Sequence, residues 1–265
     1  IFTEDIAHII KDDIGSVDFV ISCYSFAHID DMEAVMNGID YILKNEGIFI
    51  FELYYIGTLI DNMQYDNIYH EHMSYYSIAT LQKFLNKYGM EIFDIKFFPN
   101  VRSGATRFYT KYIKNPKKEI TDGYRNMLAD ENSKGFNNLL SLKSYSKKVK
   151  ETKKRLLEIL EKLKTEGKTI AGYGASGRGT TIMNYCDIDD KYLDYVIDDA
   201  PAKHGFYTPG THLPIKPWEY IEKVGSPDYI LLLAWAFVDE VLAKRKDYTE
   251  KGGKFIIPLP EVKIV

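Results

Sequence analysis

In the first third of the chain, strand-sized apolar runs alternate with apolar residues at helical spacing. The run Val17–Cys23 predicts a buried strand, and 48–53 predicts a second one. Between them, Asp30 and Glu33 have the spacing of a helix-capping box, and apolar residues then recur three and four positions apart. Residues 45–47, Asn-Glu-Gly, predict the end of that helix.

Turn and capping residues predict the next elements. Ser77 is expected to cap a helix that ends before Gly89. Two strands are expected at about 90–98 and 106–113. The intervening turn 99–104 contains Pro, Asn and Gly, so these two strands are predicted to form a hairpin.

The second half begins with a long helical stretch and then alternates again. Residues 131–165 are rich in Lys and Leu and predict one solvated connecting helix, which Gly167 ends. Four later apolar runs, separated by helical segments, indicate a small parallel sheet with helices on its faces. The predicted strands are 168–173, 193–198, 229–233 and 254–257, with helices near 179–185, 217–223 and 238–248.

Composition and charge exclude several classes of protein. The chain has 265 residues and a formal net charge of −4, which argues against a nucleic-acid-binding surface. No run approaches the roughly 18 apolar residues of a membrane-spanning helix, so we expect no membrane partner. The two cysteines, Cys23 and Cys186, lack the spacing of a disulfide framework or a metal site, which favours a reducing, cytoplasmic location.

Residues 172–177, Gly-Tyr-Gly-Ala-Ser-Gly, form a G-x-G-x-x-G pattern at a predicted strand-to-helix turn. Asp198 or Asp199 ends the next strand, as a dinucleotide-binding fingerprint requires. The pattern alone is weak, and two other interpretations stay open. One is a glycine turn that packs a helix on the sheet, and the other is an anion or ligand site without a dinucleotide. Arg178, just inside the helix, favours an anion.

The segment 65–76 is a predicted loop that contains two His, one Glu and several Tyr residues. His72 has the chemistry of a general base, since an unperturbed imidazole titrates near neutral pH. Glu71 could hold that ring or a substrate hydroxyl, and Tyr69 could hydrogen-bond a developing oxyanion. His70 and His72 have no third ligand in sight, so we expect no metal site. The plain alternative is a polar, aromatic surface loop.

His28 lies just beyond the first predicted strand, where open α/β folds bind ligands. Considered alone, it is more typical of a core histidine.

Taken together and in order, these motifs resemble the sugar C-methyltransferases. The most specific match is Tyr69-His70-Glu71-His72 with Tyr75, which is similar to the family's Tyr-His-Glu-His signature. Further matches in the family's order are Ala27-His28-Ile29, Gly172-Tyr173-Gly174-Ala175, Asn184-Tyr185, Lys203, the segment 207–212, Trp235 and the segment 258–260.

The resemblance implies an α/β fold, with a partial Rossmann-like SAM methyltransferase domain followed by a second, smaller Rossmann-like domain built on a parallel sheet. The first is expected at 1–115, a helical linker at 116–166, and the nucleotide-sugar domain at 167–265. The implied reaction methylates C3 of a nucleotide-linked 4-keto-deoxysugar. The implied cofactor is S-adenosyl-L-methionine (SAM), and the implied substrate is a dTDP-linked sugar.

The resemblance also assigns roles to residues. His72 is the expected base for the C3 proton, with Glu71 orienting it, while Tyr69 and His28 stabilise the enolate oxygen or order the sugar. The expected cofactor side consists of Phe2, Ser22 and His28. The expected substrate-binding residues are Arg107, Gly174, Ser176, Arg178, Lys203 and Tyr207.

Two departures from the family pattern accompany the resemblance. The hairpin turn reads Arg-Ser-Gly-Ala-Thr-Arg at 102–107, so only Gly104 and Arg107 correspond to the family's His-Gly-Gly-Ser-x-Arg-like turn. The family's zinc domain and glycine-rich SAM loop have no counterpart, so we expect zinc only in a missing N-terminal domain and further residues upstream of Ile1. Two alternative functions stay open: a SAM-free nucleotide-sugar-binding remnant, and an NAD-dependent oxidoreductase that uses the turn at Gly172.

Overall fold

The structure is a computed structural model that describes residues 2–99, 101 and 103–265. Its internal contacts divide the chain into two compact units. Unit 1 contains Ile1–Asp61 and His70–Leu142, and unit 2 contains Asn62–Tyr69 and Lys143–Val265. The functional division expected at 115 and 167 stays a prediction.

Unit 1 is a four-stranded mixed sheet covered by helices. The strand order is β1-β2-β4-β3, with β1 parallel to β2 and the other neighbours antiparallel. Its elements are α1 Glu4–Ile14, β1 Val17–Cys23, α2 Met32–Ile42, β2 Leu43–Leu53, α3 Ile56–Asp61, α4 Ile78–Asn86, β3 Met90–Phe98, β4 Ala105–Tyr112 and α5 Asp122–Lys134.

The core of unit 1 is built on aromatic rings from the central strands. Phe51 of β2 stacks on Phe108 of β4 at 5.3 Å between ring centroids, and on the other side Phe26 lies 5.1 Å from Phe51. All three side chains are fully buried. Such ring pairs add about 0.5–1.5 kcal/mol each beyond the area that they bury, so they fix the position of Phe26 at the end of β1, two residues before His28.

Several local predictions for unit 1 are confirmed. β1 spans the predicted residues, Ser77 caps α4 by accepting the Thr80 amide at 3.2 Å, and β3 and β4 form the expected antiparallel hairpin. The predicted burial of β1 is wrong, because β1 lies at the edge of the sheet and none of its described residues is buried. Asn100 and Arg102 of the predicted turn lie outside the described residues.

The boundaries of α2 differ from the prediction at both ends. The cap is Asp31, not Asp30, because the Asp31 carboxylate accepts the amide of Ala34 at 2.9 Å. The helix ends at Ile42 rather than at residues 45–47, and β2 begins immediately. Gly47 therefore caps no helix. A Cβ at this position would lie 2.6 Å from Leu43 Cδ1, so a close approach in the irregular start of β2 requires the glycine.

The predicted single helix 131–165 is two helices. α5 ends at Lys134, where Gly135 adopts a left-handed conformation (φ 64°) and its amide donates to Glu131 O. The second helix, α6, spans Leu139–Thr165 and buries one face. It is thus a packed element rather than a solvated one. Its buried residues are Tyr145, Val149, Leu156, Leu160 and Leu163.

Unit 2 is a six-stranded sheet, two strands more than predicted. The order is β10-β9-β8-β5-β6-β7, with all neighbours parallel except β10, which pairs antiparallel with β9. β7 and β10 have two residues each and are too short to show a period in the sequence. The elements after α6 are β5 Ile170–Tyr173, α7 Gly177–Cys186, β6 Val196–Ile197, β7 Ile215–Lys216, α8 Tyr220–Val224, β8 Tyr229–Leu232, α9 Val238–Lys244, α10 Lys246–Glu250, β9 Lys254–Ile257 and β10 Lys263–Ile264.

Within the residues that the structure describes, no helix combines the length and the apolar character needed to cross a membrane.

A fully buried carboxylate joins two helices of unit 1. Glu131 of α5 accepts the amides of Ile78 at 2.7 Å and Ala79 at 3.0 Å, which are the first two residues of α4, and the side-chain amide of Asn137 at 2.8 Å. The first amides of a helix have no intrahelical partner, and a negative charge is favourable at that end. Glu131 therefore fixes the start of α4 from a position 52 to 53 residues away in sequence.

We expect Glu131→Ala to destabilise unit 1 by about 3 kcal/mol, because buried amides at the start of α4 would lose their acceptor. Chemical unfolding of the variant, followed by far-ultraviolet circular dichroism, measures this loss. The neighbouring exposed residue gives a matched control: Asp130→Ala should stay within about 0.5 kcal/mol of the parent. Equal stabilities for the two variants would contradict the assigned role of Glu131.

Candidate functional site

Two histidines that the sequence singled out meet in unit 1. The rings of His28 and His72 lie 4.9 Å apart, edge to face, and the Tyr54 ring lies 5.0 Å from His72. The backbone holds them together, since the amide of Met73 donates to Ala27 O at 2.7 Å. His72 is 6% exposed, whereas His28 is exposed. The buried imidazole of His72 beside the accessible imidazole of His28 is an arrangement suited to proton transfer.

The other members of the signature are placed differently. Glu71 is exposed, and Tyr69 is partly buried in the segment Asn62–Tyr69, which belongs to unit 2. Tyr54, next to His72, was not singled out from the sequence. It directly follows the end of β2, and that position at a strand's carboxyl end was the signal that could have identified it.

All three predicted cofactor residues, Phe2, Ser22 and His28, line one cavity of about 670 Å³ in unit 1. The cavity opens at the carboxyl end of β1, and its walls are mainly apolar side chains from β1 and α2. Its polar groups include Ser22, whose hydroxyl lies 2.6 Å from that of Ser25. Ligand sites typically combine apolar walls with a few polar groups in this way.

Packing explains part of the glycine pattern between β5 and α7, since a Cβ on Gly177 would meet nothing within 4 Å. Gly174 has φ 101°, and a Cβ there would lie 2.5 Å from the Cβ of Ala234. A Cβ on Gly179 would lie 2.7 Å from Gly174 O. Ser176 caps α7 by accepting the Gly179 amide at 3.1 Å. The close approaches at Gly174 and Gly179 let the helix start near the sheet, as the packing interpretation expects for these two positions.

Asp198, one of the two acids that a dinucleotide site could use to bind a ribose, is hydrogen-bonded to other groups of the protein. Asp198 accepts the amide of Ala175, inside the glycine turn, at 2.8 Å and the amide of Ala200 at 2.8 Å. The Lys203 ammonium lies 2.9 Å from the same carboxylate. Asp198 thus closes the turn and neutralises Lys203, so one of the two acids that the dinucleotide interpretation offered is already bonded within the protein.

The two predicted arginines are each paired with a carboxylate. In unit 1, Arg107 Nη2 lies 2.6 Å from Glu52 Oε1. In unit 2, Arg178 donates twice to the fully buried Asp66, at 2.7 and 3.1 Å. Tyr207, the last predicted substrate residue, is exposed. Among residues 2–99, 101 and 103–265 there is no group of three or more His, Cys, Asp or Glu side chains that could hold a metal ion.

A second cavity, of about 280 Å³, lies at the carboxyl ends of β5, β6 and β8 in unit 2. The chain goes from β5 to β6 on one side and later adds β8 on the other, so this is the topological switch point where parallel sheets bind ligands. Gly174 lines it together with Asp199, Phe237 and Lys244.

Ion pairs set the charge at this switch point. Although burial disfavours the charged form of Asp199, hydrogen bonds from Lys244 and Tyr173 and the nearby Arg245 lower the pKa of its carboxyl. Burial, with the Asp199 hydrogen bond, raises the pKa of Tyr173 to about 12. The sequence offered Asp199 only as an alternative to Asp198, and the partners of Asp199 are distant in the chain.

Comparison with known proteins gives two family matches. A family model described as the C-methyltransferase C-terminal domain matches residues 100–260, and a methyltransferase domain model matches residues 3–95. C-methyltransferase NovU from Streptomyces niveus is 30% identical over 265 residues, which is 100% of this chain and 62% of that protein. The chain therefore spans less than two thirds of this relative's length.

Among solved structures, a complex of the Haloferax volcanii Trm112 methyltransferase activator with a methyltransferase matches 31% of this chain and 36% of the other. Its sequence identity is 23% and its TM-score is 0.27, which supports no argument about the fold.

Because its pKa is lowered in the folded state, Asp199 contributes stability that is present above its unfolded pKa, about 3.9, and is lost as the pH falls through the lower folded value. We expect Asp199→Asn to lower the unfolding temperature of unit 2 at pH 7, and the difference from the parent to close as the pH falls well below about 4. Thermal unfolding at pH 7 and at pH 2 to 3 measures this. Asp190→Asn, at an exposed acid, is the control. A gap of the same size at both pH values would refute the assignment.

Proposed function

Because this chain belongs to the sugar C-methyltransferase family, we propose that it takes part in SAM-dependent methylation of C3 in a nucleotide-linked 4-keto-deoxysugar in the cytoplasm. The observation that most strongly supports the proposal is the contact between His28 and His72 in unit 1. His28 also lines the large cavity, so a candidate base and a candidate ligand space are adjacent.

The proposed chemistry begins with the C3 proton, which the neighbouring C4 ketone makes acidic. His72 takes this proton, and an enolate forms on the sugar. His28 and Tyr69 stabilise the enolate oxygen or order the sugar, and Glu71 orients His72 or binds a hydroxyl. The burial of His72 shields the proton transfer from bulk water, and its ring contacts with His28 and Tyr54 limit its motion.

The large cavity of unit 1 fits the methyl donor in part. Its volume of about 670 Å³ lies within the usual range of roughly 300–1,000 Å³ for small-molecule sites. We propose that Phe2 and the apolar wall contact the adenine, and that Ser22 and His28 provide polar contacts. SAM, when bound, supplies the electrophilic methyl group. The chain's own contribution is to hold the donor and to move the proton.

We assign the nucleotide part of the substrate, proposed to be dTDP-linked, to unit 2 and Arg107. Gly174 lies at the switch-point cavity, Ser176 caps the helix that follows the turn, and Lys203 contacts Asp198, which bonds the turn. Tyr207 is exposed and offers a further hydroxyl in the same unit. The Lys203 side chain is 41% exposed, so its ammonium can still meet a diphosphate. Arg107, Arg178 and Lys203 are each paired with a carboxylate, but the carboxylate of Arg178 is fully buried, so we propose Lys203 and Arg107, whose side chains are more exposed, as the diphosphate contacts.

Two other functions remain as outcomes of a binding test. Calorimetry with SAM, dTDP and NAD separates them from the proposal. Binding of dTDP without SAM would favour a nucleotide-sugar-binding protein. Micromolar binding of NAD without dTDP would favour an oxidoreductase, against the closure of the glycine turn by Asp198.

We expect His72→Asn, in the native full-length protein, to slow methyl transfer by roughly 10²- to 10⁴-fold, because the base is lost. The Kd for dTDP should stay unchanged. The proton step can be measured by itself, as exchange of the C3 hydrogen of the substrate for deuterium in D₂O, and it should slow by the same factor.

His70→Asn is the matched control, since His70 is an exposed histidine two residues away. It should retain activity within a few-fold of the parent. A His72→Asn variant with nearly normal deuterium exchange would remove His72 as the base, even if methyl transfer were slow.

A further inference from the structure

A short segment just ahead of the signature is held in unit 2 by one carboxylate. Asp66 lies in a 3-10 turn, Tyr65–Asn67, and is fully buried. Its Oδ2 accepts Arg178 Nε at 2.7 Å and Trp235 Nε1 at 2.7 Å, and its Oδ1 accepts Arg178 Nη2 at 3.1 Å. The guanidinium also lies 4.8 Å from the centre of the Trp235 ring. Three donors from two elements therefore converge on this carboxylate.

The same turn contacts the other end of α7. The hydroxyl of the buried Tyr65 lies 3.5 Å from the sulfur of the buried Cys186, the last residue of that helix. Burial raises the pKa of both groups, so each is neutral at neutral pH. Contacts at Arg178 and at Cys186 thus hold the turn along the length of α7.

An ion pair of this kind fixes a position more than it adds net stability. Removing two charges from water costs several kcal/mol per ion, and good geometry with matched hydrogen bonds offsets that cost. Removing one partner leaves an unpaired buried charge, so displaced positions of the segment are strongly disfavoured. A bidentate Arg–carboxylate pair also restricts orientation, which a lysine cannot do in the same way.

We propose that Asp66 is a positioning residue: with Arg178 and Trp235 it fixes the segment that ends at Tyr69, and Arg178 acts by holding Asp66 rather than by binding the diphosphate. Tyr69 follows Asp66 by three residues and belongs to the same unit. The glycine turn then has a function without any ligand, because it places Arg178 in the first turn of α7, facing Asp66. The catalytic consequence rests on the proposed function of Tyr69, whereas the anchoring itself does not.

The anchoring is tested by hydrogen–deuterium exchange in the full chain. Asp66→Asn and Arg178→Lys should each speed exchange in residues 62–69 by about tenfold or more, because the bidentate pair is lost. Trp235→Phe, which removes only the indole donor, should have a smaller effect. Asp61→Asn is the matched control, since it breaks an exposed ion pair with Lys134 a few residues upstream. Unchanged exchange in Arg178→Lys would overturn the anchor, whether or not Asp66→Asn folds.

Ligand binding separates the two roles of Arg178. If Arg178 holds Asp66, Arg178→Lys and Asp66→Asn should leave the Kd for dTDP within about threefold while kcat falls by up to roughly 10²-fold, as for a misplaced catalytic group. The double variant should be no worse than the poorer single one. A Kd that rises tenfold in Arg178→Lys alone would overturn the proposal and make Arg178 a diphosphate ligand.

An epistasis measurement tests whether Asp66 acts through Tyr69. In a Tyr69→Phe background, Asp66→Asn should no longer reduce kcat appreciably, whereas a general structural defect would reduce kcat in both backgrounds. A full additional loss would overturn the link to Tyr69. If Tyr69→Phe itself has normal kcat, the proposed role of Tyr69 fails, but faster exchange of residues 62–69 would still establish the anchor.

Discussion

The carboxylate of Glu131 is the interaction on which the proposed base in unit 1 depends. The first amides of α4 are unpaired by helix geometry, and those of Ile78 and Ala79 find their acceptor in this buried side chain. His72 lies six residues before the start of this helix, so the carboxylate fixes the element into which the signature loop leads. Between His72 and this helix, the bond between Met73 and Ala27 ties the loop to the residue next to His28. Burial, and then the charge of Glu131, raise the pKa of Tyr55, so the Tyr55 hydroxyl is a neutral neighbour of the Glu131 carboxylate.

A second buried carboxylate has the same function on the amino side of the signature. Asp66 is satisfied by Arg178 and Trp235, as Glu131 is satisfied by two amides and an asparagine. In both cases backbone or side-chain donors from remote parts of the chain take part, so the loop conformation is specified by tertiary contacts rather than by local propensity alone. A segment that contains catalytic groups on an irregular backbone needs such support, because a helix or strand ladder is not available to hold it.

The sequence predicted the features that depend on neighbouring residues, and it did not predict those that depend on contacts between distant residues. The bounds of β1, the β3–β4 hairpin and the cap at Ser77 depend on neighbouring residues, and all three were predicted. The burial predicted for β1 was wrong, because its place at the edge of the sheet is set by tertiary structure. Whether Asp30 or Asp31 caps the helix depends on which carboxylate can reach an amide three residues later in the chain. The prediction of Asp30 was therefore wrong by one position. Glu131 and Asp66 are unremarkable in sequence, because their partners lie 53 and 112 residues away.

The glycine turn shows why a motif has to be interpreted through its contacts. Gly174 and Gly179 are required because Ala234 and Gly174 O approach them closely, and Ala175 donates to the protein's own Asp198. Helix packing against the sheet therefore accounts for Gly174, whereas a Cβ on Gly177, the last glycine of the G-x-G-x-x-G pattern, would meet nothing within 4 Å. What the turn leaves accessible is the switch-point cavity beside it, where Lys244 and Phe237 line the wall. The side chains that line this cavity, rather than the motif, determine which ligand the unit could take.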